Sequence, residues 1–145
     1  MIAILFWSLS LSTCAYAFLL GGWEGRWTTL TIICASLATW AANHWLRTYA
    51  FDLFWADTNL AVLAIDLLAF ASMYVVAARS GRWWPVWVAA FQLNSVVAHF
   101  ATVIDPAFSA LVYQGYEGLW AIPGQFVMIL GIYRDREWKN HYDLA

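Results

Sequence analysis

The stretch TNLAVLAIDLLAFASMYVVAA, residues 58–78, decides the fold. Past its polar start it is apolar except for Asp66 and Ser72. As an α-helix it is long enough to cross a hydrocarbon core, which takes about 20 apolar residues. Asp57 is placed to cap its start and Ser80-Gly81 to end it.

Comparable segments flank it. Residues 2–20 and 27–46 precede it, and residues 84–104 follow. Gly21-Gly22 closes the first, and Pro85 sits in the first turn of the fourth, where a missing N–H is harmless. Asp105-Pro106 stops the fourth and caps a short helix to about Tyr113. A fifth segment, residues 117–133, is apolar but short, and Pro123-Gly124 interrupts it. Its apolar part reaches about 24 Å, so it needs a thin bilayer or its flanking residues. The expected fold is an all-α integral membrane protein. It is a bundle of five transmembrane helices with short loops, four being the alternative. Residues 1–133 form the membrane domain and residues 134–145 a polar cytoplasmic tail.

Composition leads the same way. The 145 residues are 63% hydrophobic and 11% charged, with a mean hydropathy of +0.64. Soluble domains carry about 25% charged residues. Eleven Trp suit a chain with two membrane–water boundaries. The net charge of −2 gives no nucleic-acid footprint. Cys14 and Cys34 lie in apolar segments, form no CxxC, and read as small hydrophobes. Ala15-Tyr16-Ala17 has the form of a signal-cleavage site, but no basic residue precedes the apolar run, so the first segment reads as a retained helix.

Charge then sets orientation. With five spans, Arg26, Arg79, Arg82, Arg134, Arg136 and Lys139 share one side and Arg47 lies alone on the other. Lys and Arg accumulate on the cytoplasmic side. This predicts a cytoplasmic C-terminus, an outside N-terminus, and a bacterial inner-membrane location.

Polar residues inside the spans are the candidate site. Gln92, Ser95, His99 and Thr102 form one stripe on the fourth helix, which must face another helix, a cavity or a ligand. Interhelical hydrogen bonding is its plainest role. Thr29, Ser36, Thr39 and Asn43 share a face of the second helix and read as packing. On the third, Ala61, Ala64, Ala71 and Ser72 make a small-residue face, with Asn59 and Asp66 opposite. Counting helical rise puts Asp66, His99, Asn43 and Gln125 in the outer half of the bilayer, and predicts a polar cluster around Asp66 and His99. Asp66 there is a helix-tying group, a proton-handling group or a contact to a partner subunit.

Ser95, three residues and His99 resemble the pigment-binding turn of bacterial light-harvesting antenna helices. The resemblance covers one helical turn and implies His99 as an axial ligand to a tetrapyrrole. Antenna polypeptides have a single span, so the rest of the chain departs from them. A bis-histidine haem would need His44 as the second ligand. His141, in the tail, reads as solvated.

No HExxH, GxSxG, P-loop or GxGxxG occurs, and no metal-ligand set is expected. The sequence thus predicts a non-catalytic accessory subunit of a larger membrane complex, such as a photosynthetic or respiratory energy-transducing one. Its expected partners are the lipid bilayer and other membrane subunits, with no nucleic acid. A binding protein for pigment, haem or quinone using His99 is the alternative. A small proton-coupled transporter or channel using Asp66 is the third reading.

Overall fold

A computed structural model describes residues 2–49, 60–104 and 120–142. Among these the chain forms five α-helices: α1 (Ile2–Leu20), α2 (Gly22–Tyr49), α3 (Leu60–Arg79), α4 (Trp84–Ile104) and α5 (Ala121–Tyr142). Each helix packs on its neighbours in sequence, and α5 closes the ring against α1. The all-α bundle expected from the sequence is the architecture found.

Short turns force the antiparallel order. Gly22 sits at φ +69°, a left-handed conformation that glycine adopts without a steric penalty. The reversal there lets Thr29 of α2 donate to the carbonyl of Cys14 in α1 at 3.2 Å. Residues 80–83 make the second tight connection, between α3 and α4. It is followed by Trp84 and Pro85, both fully buried.

The apolar core lies toward this end of the bundle. Ala17, Met73, Trp84, Val88, Ala89, Met128 and Ile132 pack together, drawn from α1, α3, α4 and α5. Trp84 reaches the backbone of α5 because residue 131 is glycine. A Cβ there would overlap the Cβ, Cγ and Cδ1 atoms of Trp84.

Three expectations change. The helix containing Pro123-Gly124 is not interrupted. Pro123 lies in the first turn of α5, where no intrahelical partner awaits its nitrogen, and the Gly124 N–H bonds to the Trp120 carbonyl at 3.3 Å. Nor does that helix stop at Tyr133, since it runs through the polar residues to Tyr142. The second helix also begins earlier, at Gly22 instead of Trp27, so Glu24 and Arg26 are helical. Asp57, Asn59 and the short helix expected after Asp105-Pro106 lie outside the described residues.

By length and composition, α3 is the one helix among the described residues that suffices to cross a membrane, and Trp7–Leu20 is a shorter apolar helix.

Candidate functional site

Asp66 faces α4. Its Oδ2 lies 2.9 Å from Nε2 of His99, and its Oδ1 accepts a hydrogen bond from Nε2 of Gln92 at 3.2 Å. Gln92 and His99 are two turns apart on α4, so the carboxylate sits between them, level with Ser95. His99 is 0% exposed, and the Asp66 side chain is 13% exposed. An ionised carboxylate only accepts hydrogen bonds. The proton between Asp66 and His99 therefore sits on Nε2 when the acid is ionised. If the acid is protonated, it donates to Nε2 instead.

The stripe on α4 thus meets a single acid on α3. Ser95 is buried, and the Thr102 side chain lies outside the described residues. Gln125 is elsewhere: its Nε2 donates to Ser10 Oγ at 2.6 Å, joining α5 to α1. It does not belong to the Asp66 group. Asn43 is half-buried in the last two turns of α2. Nε2 of His99 lies on the Asp66 carboxylate, and the ring is fully buried. His44 is exposed and stacks on Trp40, with centroids 5.6 Å apart.

The face expected to unite Ala61, Ala64, Ala71 and Ser72 divides. Ser72 meets Thr31 of α2 at 2.7 Å, while the three alanines are exposed on the outside of α3. The physical reason is angular. Ser72 lies about 80–100° round the helix from Ala64 and Ala71, toward α2, whereas Ala61 nearly shares its direction but stands in the first turn of α3.

A second polar centre lies at the other end of the bundle, about 20 Å from Asp66 along α3. The Nε of Arg82 is 3.3 Å from Glu24 Oε1 and 3.4 Å from Asp135 Oδ2. Its Nη1 donates to the Gly21 carbonyl at 3.1 Å. Ser80 Oγ donates to Glu24 Oε1 at 3.1 Å, and the Trp84 indole N–H donates to Asp135 Oδ2 at 3.1 Å. Glu24 is 4% exposed, and its Oε2 has no hydrogen-bond partner among the described residues.

Sequence reasoning missed this centre because it treated Arg82 as a topological charge and Asp135 as part of a solvated tail. A signal was present. Five antiparallel helices bring Glu24, Arg82 and Asp135 to one end, and their opposite signs then ask to be paired.

Hydrogen bonds link every neighbouring pair in the ring. Thr29 joins α2 to α1, Thr31 and Ser72 join α2 to α3, and Asp66 joins α3 to α4. Trp84 and Asp135 join α4 to α5, and Gln125 and Ser10 join α5 to α1. No group of three or more metal-ligating side chains occurs among the described residues. No protein-family model, curated protein or solved structure matches the chain.

Proposed function

We propose that this chain is an integral membrane bundle and a non-catalytic subunit of a larger membrane complex. The observation that carries the membrane reading is a set of polar side chains buried beside the apolar core under an outer surface rich in large apolar side chains. Ser10, Thr13, Glu24, Thr28, Thr29, Ser95, His99 and Gln125 are buried. Leu11, Leu19, Leu37, Trp40, Leu68, Val97, Phe126 and other large apolar side chains on all five helices are exposed. In water such a surface would aggregate. In lipid it is solvated, and interhelical hydrogen bonds of roughly 0.6–2 kcal/mol each become the specific adhesive.

The subunit reading rests on the outside of α3. Ala61, Ala64, Ala71 and Ala78 are exposed on the most lipid-compatible helix of the bundle. Small residues let two transmembrane helices approach closely, and these four are exposed among the described residues. Gentle solubilisation from native membranes should yield a complex larger than the monomer, and Ala64→Phe should dissociate it. A monomer under every mild condition rules out the subunit role. Extraction at alkaline pH tests the membrane reading separately, because an integral bundle stays with the lipid pellet.

The Asp66–His99–Gln92 group favours a second reading, proton handling by a buried carboxylate–imidazole pair. Reconstituted vesicles should then show a proton flux that Asp66→Asn abolishes. A flux indifferent to that change excludes it.

A further inference from the structure

Beside the Arg82 centre, a cleft of about 400 Å³ is lined by Trp83, Arg134, Asp135 and Trp138. It exists because α5 continues past Tyr133 and carries Arg134, Asp135 and Trp138 alongside the start of α4. Its chemistry is mixed in a specific way. Trp83 and Trp138 are exposed indoles. Arg134 is exposed and has no ion-pair partner among the described residues. Asp135 spends Oδ2 on Arg82 and Trp84, which leaves Oδ1 uncommitted among the described residues.

The surroundings say what kind of molecule reaches this cleft. Phe126, Leu130, Arg134 and Trp138 follow one another at four-residue spacing and lie along one side of α5. The first two are exposed apolar side chains, the third a cation and the fourth an indole. A ligand along this line meets apolar surface, then a guanidinium, then aromatic rings. That is the order of groups along a phospholipid, from acyl chain to phosphate to head.

We infer that this cleft binds a phospholipid headgroup carrying a phosphate and a primary amine. The guanidinium of Arg134 takes the phosphate, since its planar fork matches two phosphate oxygens. The ammonium is held by Asp135 Oδ1 and by the indole faces, which attract cations through their π-systems. An anionic headgroup without an amine would leave Asp135 facing a like charge. A trimethylammonium head would offer its carboxylate no N–H donor. The inference rests on the membrane reading, because acyl chains run along Phe126 and Leu130 only if that surface lies in lipid.

Native mass spectrometry of the detergent-solubilised full chain tests it. Phosphatidylethanolamine, phosphatidylcholine and phosphatidylglycerol are titrated separately, with water-soluble glycerophosphoethanolamine as a fourth probe. Retention of phosphatidylethanolamine should exceed that of the other two lipids about tenfold, the worth of one charge-assisted contact. Arg134→Gln should lower it by about the same factor, and Trp138→Leu should also weaken it. Arg134 is exposed, so helicity by circular dichroism should not change.

Equal retention of the three lipids, preference for phosphatidylglycerol, or an unaltered Arg134→Gln variant would overturn the site. Binding of glycerophosphoethanolamine as tight as the lipid would also overturn it, in favour of a soluble phosphoamine. Alkaline extraction in parallel separates the two failures. Protein that stays in the membrane but does not select phosphatidylethanolamine loses the lipid site alone. Protein released from the membrane loses both.

Discussion

Trp84 and Gly131 show how one missing side chain holds two helices together. The indole lies where an alanine Cβ would be, and Trp84 is 0% exposed, with no free space to retreat into. Gly131→Ala should therefore cost about 1–3 kcal/mol through overpacking, read as a lower midpoint of denaturant unfolding in detergent. A variant as stable as the parent would mean that α4 and α5 do not approach this closely. Asp66 and His99 raise a different issue, because each satisfies the other in the interior. A double-mutant cycle of Asp66→Asn and His99→Ala should show a coupling of about 0.5–3 kcal/mol. Strictly additive losses would refute the contact. Asp66 stood out in the sequence as an acid in an apolar run. His99 could be assigned to it because helical rise put both at comparable depth on helices joined by a short turn.

Among the helices, the connections matter more than the spans. The α3–α4 turn delivers Arg82 to Glu24 at the start of α2 and to Asp135 in α5, so one side chain ties three elements. Arg82→Gln leaves two acids close together without their cation. Removing one partner of a fully buried pair costs about 3–5 kcal/mol. The Arg82 side chain keeps 25% exposure, so solvent screening reduces the expected loss to about 1–3 kcal/mol. Adding Glu24→Gln should recover part of that stability, and no recovery would place the loss elsewhere. The apolar runs and the Gly-Gly and Ser-Gly breaks made most of the helices legible. The fifth was misread because Pro123-Gly124 is a breaker inside a helix but compatible with its first turn. Polar residues 134–142 carried no apolar periodicity to signal that the helix continued.

For the molecule as a whole, the decisive property is which solvent its outer surface meets. Cys34 is exposed on α2, within the segment expected to lie in lipid. In intact membranes it should resist a charged, water-borne maleimide and then label fully once the protein is denatured. Rapid labelling in membranes would put that face in water and remove the support for a bilayer around α2.

Composition and apolar run lengths were enough to specify a helical bundle, because each helix satisfies its own backbone and short loops leave antiparallel packing as the simplest order. Spacing alone put Gln92, Ser95 and His99 on one face of α4, since helical periodicity is a local property. Pairing is not local. That Asp66 would take both Gln92 and His99, that Gln125 would turn to Ser10, and that Arg82 would join Glu24 and Asp135 depended on how the ring closes. The cleft beside Trp83 depended on it too, since it forms only where the extension of α5 passes the start of α4. Each of these contacts joins residues far apart in the chain, and a rotation of one helix about its axis would exchange its partners without changing any helix's own backbone hydrogen bonds.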